Sequence, residues 1–372
     1  MRIGILTLPF NNNYGGYLQS FALMHVLKEL GHIPTIISRS HPRYPLSMRI
    51  RHTLKASALA LLGMPHKDIF MSRESELRVK GALMMPFVDK HITPRTRFIY
   101  NNLELKLFTS RRFDAVIVGS DQVWRPDYGP DIRNYFLNFV SKGVMKIAYA
   151  ASFGTDDPTY TDAELTQCKS LLQLFKAISL REQSGLNIIE DWGVLSEFKP
   201  CVVLDPTMLL EKGNYQQLIE KEPVQTMGKA FCYVLDESKT ANDIINAICK
   251  DKGITPFHII DVNCWKEEHY VMPSIEAWLR GIYDAECVIT DSFHGTVFSI
   301  LFNKPFVVYA NRERGISRFQ TLLESFDLLD RIAETSEQAI TISKKTISWD
   351  YVNRVLYQRR KESLQFLISS LS

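Results

Sequence analysis

Apolar residues fall along this chain in two alternating rhythms: short unbroken runs, and stretches spaced at three and four. Residues 3–8 form the first run and read as a buried strand. A loop over 9–16 follows, and Leu23, Val26, Leu27 and Leu30 then recur at i, i+3, i+4 and i+7, the face of a helix. Gly31 supplies its stop signal, and residues 34–38 read as a second strand. This strand–loop–helix–strand opening belongs to doubly wound α/β domains. Residues 39–106 lose the rhythm and read as a mixed, helical insertion. Runs resume at 115–119, 146–150, 177–180 and 202–204, after which Asp205-Pro206 punctuates the chain. A domain join is placed near Leu210. Beyond it, strands at 231–235, 257–260, 287–290 and 306–309 alternate with helices at 241–249, 275–283 and 295–302. Residues 351–371 read as one helix able to cross back onto the first domain. The pattern predicts an α/β protein of two Rossmann-like domains facing across a cleft, residues 1–210 and 211–345, followed by a C-terminal helical segment over 346–372.

Length agrees with two domains, since 372 residues exceed the roughly 250–300 that one core holds. Net charge is +3, from 44 basic and 41 acidic residues, too slight to indicate nucleic acid. Any anion preference must therefore come from local clusters. The six cysteines form no CxxC pair, and no Cys/His group has zinc spacing, so buried thiols in a reducing compartment and no metal are expected. No stretch approaches the roughly 20 apolar residues of a membrane span. The apolar run ending at Pro9 is too short for a signal segment. A cytoplasmic location is expected. One cluster stands apart: Arg39, Arg43, Arg49, Arg51 and Lys55 run into the apolar segment from Ala58 to Leu62. A basic stretch beside an apolar one suits the surface of an anionic membrane. A helical insertion packed on the first domain, its arginines in water, is the alternative.

In open α/β sheets ligands bind beyond the carboxyl ends of strands, so the strand-to-helix loops carry the candidates. Asn13, Tyr14, Gly15 and Gly16 open the first helix, where two glycines allow close backbone approach and free N–H groups; a capped tight turn reads the same way. Ser120, Asp121, Gln122 and Trp124 follow another strand. There Asp121 can accept a proton from a sugar hydroxyl and Trp124 can stack on a sugar ring, unless the Trp is core and the segment a cap. Arg181 ends a strand with a fork suited to carboxylate or phosphate, or pairs with Glu182. Ser292, His294 and Gly295 lie between a strand and an apolar helix, where an anion would dock beside a titratable imidazole; a capping role is the plainer reading. Arg312, Arg314 and Arg318 follow the next strand and can neutralise phosphate or sit in a solvated loop.

The segments NYGGYLQSFAL, VGSDQVW, YAASFG, SLRE, VLDPTMLL, ITDSFHGTVFSILFNKPF and SRFQTLL, in this order, resemble the polysaccharide pyruvyl transferase family. They span residues 13 to 323; residues 39–106 carry no matching motif. The resemblance implies a GT-B-like fold, phosphoenolpyruvate as donor with no further cofactor, and a pyruvate ketal bridging two hydroxyls of a sugar in a polysaccharide or its precursor. It places the SFHG histidine on His294 and the SLRE arginine on Arg181 as phosphoenolpyruvate contacts, with Arg318 as an extension. It further suggests acceptor binding by the first domain and donor binding by the second. His294 is the candidate acid; Asp121 as base comes from chemistry alone. The acceptor can be lipid-linked. A GT-B glycosyltransferase using a nucleotide sugar, or a non-catalytic sugar-binding relative, shares the same architecture.

Overall fold

The computed structural model describes residues 1–64, 70, 72–194, 199–225, 227–236, 238–260, 270–309 and 316–372. Six parallel strands build the first sheet: β1 (Arg2–Leu6), β2 (Ile33–Ile36), β3 (Ala115–Val118), β4 (Met145–Ala151), β5 (Ala177–Leu180) and β6 (Cys201–Val202), in the order β2-β1-β3-β4-β5-β6. The second sheet has five: β7 (Ala230–Tyr233), β8 (Pro256–His258), β9 (Cys287–Thr290), β10 (Phe306–Tyr309) and β11 (Ile332–Ala333), in the order β11-β10-β9-β7-β8. These strands are parallel too. Central strands such as β3, with sequence AVIV, are buried at every position. Unbroken apolar runs are what a sheet covered on both faces requires.

Each sheet reverses direction at one point. The chain steps outward from β1 to β2 and returns to place β3 on the other side; β7, β8 and β9 repeat this. Ligands bind at such switch points because adjacent loops diverge there and leave a crevice. The loops after β1 and β3, and those after β7 and β9, therefore bound the candidate site.

The two halves are welded beneath it. Tyr14, at the start of the helix Tyr14–Glu29, stacks on Trp278 of the helix Ile275–Asp284 with centroids 5.4 Å apart. Its hydroxyl donates to the Pro273 carbonyl at 3.0 Å. Tyr215 packs edge-on against Phe298 at 4.8 Å. The helix Trp349–Leu371 returns to the first sheet: Ser363 Oγ accepts from Leu204 N at 3.0 Å, and Arg360 donates to the carbonyls of Met208 and Leu210, each at 2.9 Å.

Between β2 and β3 lie the helices Leu46–Leu61, Arg73–Lys80, Met85–His91 and Asn102–Thr109. Arg39 does not join the exposed basic cluster expected from the sequence. It is buried, and its guanidinium donates to Asn134 Oδ1 at 2.9 Å and the Ile99 carbonyl at 3.2 Å. Among the described cysteines, Cys168, Cys232, Cys249 and Cys287 are buried and Cys201 is half-buried, all free thiols; Cys264 lies outside the described residues.

Candidate functional site

A cavity of about 330 Å³ opens where the two switch points meet. Asn11, Asn12 and Asn13 line it from the first domain, with Asp121, Gln122 and Arg181. From the second come Asp291, Ser292, Phe293, His294 and Arg318. A larger cavity of about 490 Å³ adjoins it within the first domain and shares the walls Asn11–Asn13, Lys80, Asp121 and Gln122. Phe10, Phe98 and Tyr128 give it apolar faces beside the polar Arg73, Glu76 and Asp127.

Two helices begin at the smaller cavity. Ser292 caps Phe293–Leu301 by accepting from Gly295 N at 3.3 Å. Asn13 caps Tyr14–Glu29 by accepting from Gly15 N at 3.0 Å and Gly16 N at 3.4 Å. Each N-terminus contributes about half a positive charge. Asp291 ties the second-domain loops together, its carboxylate accepting from Leu235 N at 2.7 Å and Asp236 N at 3.0 Å.

Arg181 stands at the carboxyl end of β5, fully buried. It donates from Nη2 to Asp121 Oδ1 at 3.1 Å and from Nη1 to Asp205 Oδ2 at 3.3 Å, and lies 4.5 Å from the ring centre of Phe293. His294 Nε2 lies 3.7 Å from the same Asp205 oxygen and has no hydrogen-bond partner among the described residues. The other Asp205 oxygen accepts from Thr207 N at 3.0 Å and Thr207 Oγ1 at 2.7 Å. Burial opposes the Asp205 charge, yet His294, Arg181 and Thr207 hold its carboxyl well below the ordinary carboxylate range. Burial opposes the Asp121 charge as well, but Arg181 foremost, with His294, Gln122 N–H and Arg318, lowers its carboxyl too. Burial works against the Arg181 charge, and Asp121 and Asp205 outweigh it, so that its pKa rises. Arg318, buried and close to Arg181, is drawn down to about 10. Burial pushes the Glu182 carboxyl up.

The structure thus brings His294, Arg181, Arg318, Asp121, Gln122, Ser292 and Asn13 to one cavity. Other expected contacts are corrected. Trp124 does not face a sugar: it is fully buried, stacked on Phe136 at 5.3 Å, and donates Nε1–H to the Tyr135 carbonyl at 3.0 Å. Ser120 is fully buried beneath the cavity, its hydroxyl 2.9 Å from Asp205 Oδ2. Tyr14 belongs to the apolar weld between domains. The N–H groups of Gly15 and Gly16 are taken by Asn13. Gly15 is required for another reason: a Cβ there would lie 2.0 Å from His294 Nδ1. Gly16 borders the larger cavity. Gly295 lets its helix close on β9, since a Cβ would lie 2.5 Å from Thr290 Oγ1. Arg312 and Arg314 lie outside the described residues.

Asp121 holds a left-handed backbone, φ 81°, at the strand end, a conformation Asp tolerates better than most residues and one that recurs at functional sites. Its carboxylate accepts from Arg181 Nη2 and so orients the guanidinium, and it lines both cavities. Sequence reasoning missed Asp205, which joins Arg181, Ser120 and His294 across the cleft. Its signal was the position, an acid just beyond a strand end, in the segment VLDPTMLL.

A family model described as polysaccharide pyruvyl transferase matches residues 13–313, which include every described cavity contact named above except Phe10, Asn11, Asn12 and Arg318. The chain belongs to the polysaccharide pyruvyl transferase family. A comparison with curated proteins finds no match. Among solved structures, this family member resembles UDP-GlcNAc 2-epimerase from Methanocaldococcus jannaschii, with TM-score 0.56 and 11% identity over 94% of this chain and 93% of that one. It also resembles UDP-N-acetylglucosamine 2-epimerase from Rickettsia bellii, with TM-score 0.51 and 10% identity over 99% of this chain and 96% of that one. At such identities the likeness shows the fold, and with the two parallel sheets it makes this pyruvyl transferase family member a GT-B-fold α/β protein.

Proposed function

We propose that the protein moves the pyruvyl group of phosphoenolpyruvate onto a sugar, forming a cyclic ketal and releasing phosphate. The carrying observation is the convergence on one small cavity of two helix N-termini, His294, Arg181 and Arg318, from both domains. Phosphoenolpyruvate presents two anionic groups on a three-carbon enol. Charge-assisted, forked contacts from arginines and the positive ends of helices match that pattern.

The chemistry divides between the two cavities. The donor lies against His294, and the sugar occupies the adjoining larger cavity with its aromatic faces. His294 protonates the methylene carbon, making it a methyl group, and positive character develops at C2. A sugar hydroxyl attacks C2 and loses its proton. The C2–O bond to phosphate then breaks, a second hydroxyl of the same sugar forms the second C–O bond, and its proton leaves with phosphate. Asp205 orients the imidazole and Arg181, and Arg318 offsets donor charge. Asp121 lines both cavities and is the proposed acceptor of the sugar hydroxyl's proton, which it passes on to solvent, while solvent restores the proton of His294.

Binding tests this reading. At 100 times its dissociation constant, phosphoenolpyruvate should stabilise the protein by about 2.7 kcal/mol, read as a rise in melting temperature that Arg181→Met reduces. Stabilisation by UDP-sugars with none by phosphoenolpyruvate would replace it with nucleotide-sugar transfer. Binding of free sugars alone would leave a sugar-binding protein.

A further inference from the structure

The helix Leu46–Leu61 turns its apolar stripe away from the protein. At about 100° per residue, Leu46, Ile50, Leu54 and Leu61 fall within an arc of about 80°. They are 67%, 51%, 68% and 89% exposed. Around the helix from that stripe, Ala56 is buried and His52, Thr53, Leu59 and Ala60 are partly covered where the helix packs onto the fold, while Met48 is exposed. A globular protein ordinarily buries the stripe that this helix exposes.

Charge indicates what covers it. From Arg39 to Met64 the chain contains no Asp or Glu. Arg39 is buried and Arg43 lies 3.8 Å from Glu104, which leaves Arg49, Arg51 and Lys55 exposed along the helix. A second copy would bring these cations against their equivalents. An anionic surface takes the cations and the apolar stripe together. The helix begins just beyond Tyr44, whose hydroxyl accepts from Arg73 Nη1 at 2.8 Å, while Ser40, His41 and Arg73 line the larger cavity. Among the described residues no helix is long and apolar enough to cross a membrane, so attachment is by lying in the interface plane.

The geometry points to Leu46–Leu61 as a docking helix that seats the protein on an anionic lipid bilayer, with the larger cavity close to that surface. The site of pyruvyl transfer is not needed for this contact, and an acceptor carried on a lipid would be presented beside it.

Co-sedimentation of the full chain with phosphatidylglycerol-containing vesicles, and with purely zwitterionic vesicles, tests the assignment. Binding to the anionic vesicles at low salt is expected, weakening as salt rises. Arg49→Gln, Arg51→Gln and Lys55→Gln together should lower partitioning on the order of 100-fold, at about fivefold per charge. Ile50→Asp with Leu54→Asp should abolish it, and both variants should melt like the parent because these side chains are in solvent. Absence of binding at low salt, equal binding to zwitterionic vesicles, or binding unchanged by both variants would overturn it. A dimer that dissociates on Leu54→Asp without vesicle binding would show that a second copy covers the face.

Discussion

The cleft and the helix Leu46–Leu61 place charge and apolar surface in opposite ways. At the cleft, Arg181, Asp121, Asp205 and Glu182 are buried among apolar residues, and Arg181 joins both aspartates. In the helix, five large apolar side chains, four of them in one stripe, and three cations are exposed. Both arrangements cost free energy in isolation. Buried charge carries a desolvation penalty, and exposed apolar stripes invite association. The complement proposed for the first is a small anion, and for the second an extended anionic surface. The domains share an apolar weld beneath the cleft, whereas the helix is held on one side only.

The largest expected effect falls on the acid. His294→Ala should lower turnover by about 10²–10⁴-fold while the melting temperature stays close to that of the parent, measured by phosphate release and thermal unfolding. A folded variant with parental turnover would reduce His294 to a helix residue. Arg181→Met removes the partner of two buried carboxylates and should destabilise by about 3–5 kcal/mol in urea unfolding. Pairing Arg181→Met with Asp121→Asn should recover part of that loss, sharpening the claim that Asp121 serves the arginine. Gly15→Ala forces the imbalance into the site itself, because its Cβ needs the space of His294 Nδ1. A displacement of this size should cost about 10²-fold in kcat, with a smaller change in stability.

Acidity gives a subtler test. The folded Asp205 carboxyl lies below its unfolded value, so its contribution is fully present above roughly pH 4 and is lost as pH falls through the folded value. Unfolding free energies measured from pH 7 downward should show that loss in the parent and a flatter dependence in Asp205→Asn. The smallest effect is expected at Trp124→Phe: about 1–2 kcal/mol from the lost Nε1–Tyr135 bond and volume, with KM for the sugar unchanged. A raised KM would return Trp124 to the sugar site.

The central strands were legible because they are buried apolar runs between polar loops, and β5, β9 and β10 fall where the pattern puts them. Two residues suffice for β11, too few for any periodicity, and that strand went unread. At the site, position at a strand end singled out Arg181 and His294, and the fold brings both to one cavity. Asp205 read as chain punctuation because its partners Ser120, Arg181 and His294 come from other loops, up to 89 residues away in sequence. Trp124 misled for the opposite reason: its polar neighbours suggested exposure, but the rings of Phe136 and Phe153 and the Tyr135 carbonyl that meet it come from later segments. Arg39 shows the same limit, its buried partners lying near residues 99 and 134.

Incubation with phosphoenolpyruvate and a sugar acceptor in D₂O tests the central claim most directly. Pyruvyl transfer by methylene protonation predicts phosphate release that requires both substrates, and a ketal product whose methyl group carries one deuterium. Consumption of a nucleotide sugar with release of nucleotide, while phosphoenolpyruvate stays intact, would contradict it.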